Sequence, residues 1–194
     1  MFVLEKSIAV LALLAFSSAE ASSKCVSKLD PDERVGVFCM VNSSLSIVEY
    51  SDLSTQDAQR RNEDNSLVFG AGSIAMHIFS TEFLNRVADD LPWHAAHKRV
   101  AFLDDEGNLV SPEEPNAVKF EKFVFEVLQF ASNSIVVETL REEEFAPIKN
   151  TKGNDSPATS HAMQLARSVK WLRELGIEVP ENAQIELSPL LGAC

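Results

Sequence analysis

The sequence predicts an α/β domain built on a mixed sheet. Three observations carry that reading. Short β-branched runs alternate with helical stretches. Hairpin signals interrupt the alternation, so the sheet is not purely parallel. The chain has 194 residues, 45% hydrophobic and 24% charged, enough for one packed core in an ordinary globular balance.

At the start, Glu5 and Lys6 precede an apolar run over residues 8–16, and Ala19-Glu20-Ala21 follows. This pattern fits a secretory signal peptide; the run is too short to span a bilayer as a helix. The rival reading is a buried strand or helix of a truncated domain. Residues 1–23 are therefore set apart as signal-like or truncated, and residues 24–194 as the folded domain.

Residues 35–40 (VGVFCM) and 45–50 (LSIVEY) read as two strands, turned at Asn42-Ser43-Ser44. Residues 52–65 are polar, a loop or short exposed helix. Residues 67–78 (LVFGAGSIAMHI) read as a strand, a tight turn and the next element. Ser80 or Thr81 can cap a helix with Glu82 in its first turn and Phe83, Leu84, Val87 and Leu91 on one face; Pro92 ends it. Residues 101–103 and 109–110 flank DDEGN, a hairpin. Residues 120–131 give the clearest helical periodicity, with Phe120, Phe123, Val124, Val127, Leu128 and Ala131 at i, i+3, i+4 spacing. Residues 134–140 are a β-branched strand, and residues 141–155 a charged loop. Ser156-Pro157 opens a long helix that Gly176 closes near Leu175. Residues 184–187 make a last short strand. No internal repeat or low-complexity linker is present.

The net charge of -12 argues against nucleic-acid binding, which needs a basic surface. It leaves room for a phosphorylated small molecule, because a few lysines can dominate one cleft. Cys25, Cys39 and Cys194 are odd in number and lack metal-ligand spacing, which points to a reducing compartment. His94 and His97 lie three apart, on one face of a helix if they are helical, with no third ligand at supporting spacing, so no zinc site is assigned. Glu142-Glu143-Glu144 reads as a solvated loop rather than a metal cage. No Walker loop, nucleophile elbow or GxGxxG is present.

Four local features carry chemistry together. VEYSD ends a strand with Glu49. Gly70-Ala71-Gly72-Ser73 permits close backbone approach to a ligand. NAVKFEKF places Lys119 at the start of the apolar helix. FAPIKN places Lys149 on a proline-fixed loop. Each alone has an ordinary explanation: a wet strand end, a turn, a solvated face, a loop charge.

In this order they resemble the UDP-N-acetylhexosamine (UDP-GlcNAc) pyrophosphorylases. The resemblance runs from about Lys24 to Leu190 through VGVFCMV, VEYSDLS, FGAGSIAMHIF, PNAVKFEKFVFEVLQF, LREEEFAPIKN and ELSPL. It is weaker to the UDP-glucose pyrophosphorylases. It implies a Rossmann-like nucleotide-diphospho-sugar transferase (GT-A-like) domain, Mg²⁺, and uridylyl transfer from UTP to N-acetylglucosamine 1-phosphate. The family's sugar-contacting Glu-Tyr step falls on Glu49 and Tyr50, its UTP-contacting lysine on Lys119, and its sugar-phosphate lysine on Lys149. Gly72 and Ser73 fall in the sugar-contacting segment.

Two departures follow. The family usually reads Asn-Ala-Gly-Asn where this chain has Gly70-Ala71-Gly72-Ser73, so a different hexose 1-phosphate such as glucose 1-phosphate becomes an alternative. The family's Gly-rich nucleotide loop and metal-holding region lie N-terminal of the motifs seen here. The chain therefore reads as the C-terminal part of such an enzyme or as a non-catalytic sugar-phosphate-binding fragment. A separate N-terminal half is a candidate partner, and nucleic acid and membrane are not. The resemblance implies the cytoplasm; secretion via residues 1–21 is the alternative.

Overall fold

The structure, a computed structural model, describes residues 17–188 and 190. Its centre is a five-stranded mixed sheet of β1 (Ala21–Ser27), β2 (Val37–Val41), β3 (Ser44–Val48), β4 (Ala71–Phe79) and β9 (Ser134–Glu138), in the order β3-β2-β4-β1-β9. Only β1 and β9 run parallel; the other neighbours are antiparallel. β2 and β3 form the expected hairpin, turned on Asn42 and Ser43. Both residues have positive φ, 50° and 67°, the geometry a tight two-residue hairpin loop needs.

α1 (Thr55–Ala58) is a single exposed turn capped by Ser54. α2 (Thr81–Val87) starts as predicted: the Ser80 hydroxyl accepts from the Phe83 amide, and Phe83 and Val87 face inward. A 3₁₀ turn, Ala88–Asp90, follows. Two small ribbons stand apart from the main sheet. β5 (His94–Lys98) pairs with β8 (Ala117–Glu121), and β6 (Phe102–Leu103) pairs with β7 (Leu109–Val110), the latter being the predicted hairpin. α3 (Arg141–Glu144) is one turn. α4 (Pro157–Glu174) is the one long helix among the described residues. Ser156 and Thr159 form a reciprocal capping box at its start, and Gly176 follows its end with φ 78°.

The main core cluster packs against the sheet, and consecutive residues of β1 and of β2 are buried on both faces. Ala21, Cys25 and Phe38 pack there against Leu128, with Leu45, Ile47, Phe79, Phe125 and Val136 around them. A second cluster joins Phe83, Val87 and Val127.

Several expectations are corrected. Residues 120–131 are not a helix. Phe120 and Glu121 end strand β8, and Val124–Phe130 is a 3₁₀ segment. The window is rich in Phe and Val, which have modest helix propensity, and pairing with β5 claims its first residues. The i, i+3 part of its periodicity is real: it buries Val127 and Leu128. His94 and His97 sit on strand β5, not on a helix, and His94 Nε2 meets the Glu126 carboxylate at 2.8 Å. Residues 71–79 form one strand across the expected turn. An irregularity between Ser23 and Cys25, with Ala75 at φ 58°, absorbs the extra residues. Residues 184–187 carry no strand. The acidic run is not a solvated loop. Glu144 pairs with the buried Lys24 and accepts from Thr139, and Glu143 pairs with Lys170. β1 was not anticipated at all. It crosses the boundary drawn at residue 23, and its Ala21 is wholly buried. The apolar run 8–16 and Cys194 lie outside the described residues. Among the described residues Cys25 and Cys39 are free thiols. Burial pushes the Cys25 thiol up to about 11, with the Glu138 charge adding to it. Among the described residues no helix is long and apolar enough to cross a membrane.

Candidate functional site

The register of the sheet gathers distant stretches of sequence at one end. β1 finishes at Ser27, opposite Ala71 where β4 begins. Val37, the first residue of β2, lies opposite Gly72 of β4 and opposite Val48, the last residue of β3. Cys25 lies beside Glu138, the last residue of β9. The loops after β1, β3 and β9 and those before β2 and β4 therefore open at the same end. In sheets with parallel strands the carboxyl ends are where ligands collect.

Glu49 follows β3 directly. Its side chain lies over Gly36: a Cβ there would meet Glu49 Oε1 at 3.2 Å and Ile47 Cγ2 at 2.8 Å, so the bare backbone is what admits the carboxylate. Its carbonyl accepts from the amides of Asp52 and Leu53, which turns the chain sharply after Tyr50. Tyr50 is 47% exposed. The Ser73 amide donates to the Gly36 carbonyl at 2.8 Å, tying β4 to the same spot.

Lys149 arrives from the loop after α3. Its ammonium donates to the Arg34 carbonyl, two residues before Gly36. Its own amide and that of Asn150 both donate to the Asp155 carbonyl, at 2.7 and 2.9 Å, closing residues 149–155 into a clasp. Glu49 is held above the ordinary carboxylate range, first by burial and then by the nearby Asp52 charge, while Lys149 pulls it back down. Glu49 and Lys149 thus both reach the Arg34–Gly36 stretch at the sheet end.

Gly72 works differently from the expected opening to a ligand. It is buried, and a Cβ there would meet Val35 Cγ2 at 3.0 Å and the Val26 carbonyl at 3.2 Å. Its bareness lets β1 and the Val35 segment close on β4. Lys119 is placed elsewhere. It stands on β8 in the separate ribbon, opposite Ala96, and pairs with Glu121. No hydrogen bond or ion pair among the described residues links Lys119 to Glu49 or Lys149.

The loop carrying Arg34 is itself pinned. Lys28 donates to the Pro31 carbonyl, Asp30 accepts from the Asp32 amide, and Glu33 accepts from the Leu29 amide. Arg141 then bridges the Ser27 carbonyl and the Glu33 carboxylate, the latter at 2.7 Å. Lys28, Glu33 and Arg141 were missed in the sequence. The Asp30-Pro31 turn dipeptide was the available signal, but nothing local ties it to residue 141.

The described residues contain no group of three or more His, Cys, Asp or Glu placed to hold a metal ion. The arrangement offers a carboxylate able to accept hydrogen bonds from hydroxyls and an ammonium able to meet a phosphate, on a rigid sheet end.

A family model described as UTP--glucose-1-phosphate uridylyltransferase matches residues 5–184. UDP-N-acetylhexosamine pyrophosphorylase-like protein 1 of Xenopus tropicalis is 44% identical over 164 residues, 81% of this chain and 32% of that protein. UDP-N-acetylglucosamine pyrophosphorylase of Saccharomyces cerevisiae is 33% identical over 181 residues, 89% of this chain and 38% of that protein. A solved structure from Entamoeba histolytica, of a protein assigned as a UDP-N-acetylglucosamine pyrophosphorylase, overlays with TM-score 0.78 at 27% identity. That overlay covers 89% of this chain and 44% of the other. The chain spans about a third of the length of the curated relatives it matches. With the match running through nearly all of its described residues, the chain belongs to the UTP–glucose-1-phosphate uridylyltransferase family.

Proposed function

We propose that this chain supplies the sugar-phosphate side of a uridylyl transfer, in which UTP and N-acetylglucosamine 1-phosphate give UDP-N-acetylglucosamine and pyrophosphate. The observation that carries the reading is that Glu49, lying over Gly36, and Lys149, donating to the Arg34 carbonyl, reach the same stretch at one sheet end from positions one hundred residues apart in sequence. The names of the relatives support the choice of sugar. The domain would be the mixed-sheet part of a Rossmann-like, GT-A-like nucleotide-diphospho-sugar transferase.

In the reaction a phosphate oxygen of the sugar phosphate attacks the α-phosphorus of UTP. The bond from that phosphorus to the bridging oxygen breaks, and pyrophosphate leaves. The enzyme needs no covalent nucleophile; it positions the reactants and neutralises charge. Lys149 would exchange the Arg34 carbonyl for a phosphate oxygen. Glu49, with Tyr50 beside it, would hold the sugar hydroxyls, and Ser73 would line the sugar's edge. Lys119, on the ribbon, is assigned to the nucleotide. Mg²⁺ would enter with the nucleotide, on ligands beyond the described residues. The cytoplasm is the proposed location; N-terminal sequencing of the expressed protein separates it from secretion through residues 1–21, because secretion predicts loss of Met1.

The test is pyrophosphate release from UTP, Mg²⁺ and N-acetylglucosamine 1-phosphate, with the N-terminal part of a relative supplied as a second polypeptide. Turnover that Lys149→Ala abolishes is expected. No turnover, with binding retained and lost on Lys149→Ala, would select the non-catalytic sugar-phosphate-binding reading instead. Ser73 favours one further arm: replacing the sugar by glucose 1-phosphate tests the loss of the family's asparagine amide at that position.

A further inference from the structure

Two stretches more than one hundred residues apart are joined by a part-buried ion pair that the proposed chemistry leaves unused. The Glu33 and Arg141 side chains are 10% and 17% exposed. One Arg141 nitrogen donates to both Glu33 carboxylate oxygens, at 2.7 and 3.0 Å, and to the Ser27 carbonyl at 3.1 Å. The guanidinium also lies over the Phe145 ring, 5.2 Å from its centroid. Glu33 accepts from the Leu29 amide as well. A planar cation that stacks and donates to several acceptors at once is guanidinium chemistry, and a lysine copies only part of it.

Each partner sits beside one side of the Lys149 contact. Glu33 precedes Arg34, whose carbonyl accepts from the Lys149 ammonium. The Glu33 carbonyl accepts from the Val35 amide at 2.9 Å, a three-residue turn centred on Arg34. The aim of the Arg34 carbonyl therefore follows where Glu33 is held. On the other side Arg141 opens α3, and the chain runs from α3 through Pro147 to Lys149. The far end of α3 is fixed separately: Glu144 pairs with the buried Lys24 of β1 and accepts from the Thr139 hydroxyl at 2.6 Å. α3 is thus pinned at its first residue to the Arg34 loop and at its last to the central sheet. A functional charge is placed only as well as the groups that support it.

We propose that Arg141 is the positioning residue for Lys149: through Glu33 it fixes the Arg34 carbonyl on which the ammonium rests, and so holds that charge at the sheet end for a phosphate to take over. Its part in sugar-phosphate binding rests on the proposed function; the coupling between Arg141 and the Lys149–Arg34 contact does not. Fixing a charge before the ligand arrives spares the cost of ordering a long side chain on binding. Loss of Arg141 should therefore appear as weaker binding, and only while Lys149 is present.

Double-mutant cycles on the full chain test it. The Val35 amide nitrogen is bonded to the Arg34 carbonyl carbon, so its NMR shift reports what that carbonyl accepts from, with no ligand present. Lys149→Ala should move this shift in the wild-type background and leave it nearly unmoved in the Arg141→Met background. Arg141→Lys, which keeps a charge for Glu33, should restore part of the movement. Calorimetry with N-acetylglucosamine 1-phosphate should show binding about tenfold weaker in Arg141→Met, and no further loss when Arg141→Met is added to Lys149→Ala. If Arg141→Met does not fold, Glu33→Gln enters the same cycles with the same expectation, since it keeps an acceptor for the Leu29 amide and drops the charge. An ion pair that only braces the fold predicts additive effects. Equal movement of the Val35 nitrogen in both backgrounds overturns the proposal, and so does no movement in either. Binding that Arg141→Met leaves unchanged, or weakens equally with and without Lys149, overturns it too. No binding by the wild type, with the shift cycle as expected, counts against the proposed function alone. Binding that Lys149→Ala weakens, with equal shifts in both backgrounds, counts against the positioning role alone.

Discussion

Lys149 and Glu49 set the chemistry at the scale of single residues. A charge-assisted contact is worth roughly 1.5–3 kcal/mol, so Lys149→Ala should weaken sugar-phosphate binding by about ten- to a hundredfold, read by calorimetry. The same change removes the positive charge that draws Glu49 down, so the Glu49 carboxyl should titrate higher in the variant when followed by carboxyl NMR. The sign of the stability effect follows. Glu49 in the folded chain lies above the ordinary glutamate value of 4.5. Its contribution is fully present at acid pH and is lost as pH rises through the folded value. At neutral pH the charged form therefore opposes folding, and Glu49→Gln should raise the thermal midpoint there. The gain should vanish toward pH 4, while sugar binding falls at every pH. Glu20 has the opposite sign. Arg86, with the Ser132 amide, lowers it to about 2, so its contribution is present at neutral pH and is lost as pH falls from 4.5 toward 2. Glu20→Gln should lower the thermal midpoint at pH 7 and leave it unchanged near pH 2.

Capping and turn chemistry made some elements legible in the sequence. The α4 cap, the α2 cap at Ser80, the Asn42-Ser43 hairpin and the Gly107 hairpin each depend on residues a few positions apart. Ser156→Ala should cost about 0.5–2 kcal/mol in denaturant unfolding through loss of that cap. The 3₁₀ segment was misread because aromatic spacing at i, i+3 fits two helix types, and pairing with β5 is not a local property. Its role in the core is nonetheless testable: Leu128 is wholly buried, and Leu128→Ala should cost about 2–5 kcal/mol. β1 went unseen for a related reason. It reads Ala-Ser-Ser-Lys-Cys-Val-Ser, with little β-branched character, and becomes a central strand only because β4 and β9 flank it. Its Lys24 is buried because Glu144, from a stretch that reads as a wet acidic run, comes to meet it.

For the whole molecule, sheet register converts scattered motifs into a place. Glu49, Ser73 and Lys149 were readable as candidates from their motifs, and the strand order shows why they share one end. Lys119 was readable too, but the ribbon that carries it is a separate two-stranded sheet, so the register of the main sheet does not bring it to the others. The pinned loop from Lys28 to Arg34 belongs to this scale as well, since Arg141 reaches it from more than one hundred residues away.

The central claim is that the Glu49–Lys149 end receives a sugar phosphate, and calorimetric titration of the full chain with N-acetylglucosamine 1-phosphate tests it most directly. The prediction is binding that Lys149→Ala weakens by about ten- to a hundredfold and Lys119→Ala leaves within about twofold. Equal binding by wild type and Lys149→Ala, or no binding by either, would contradict it.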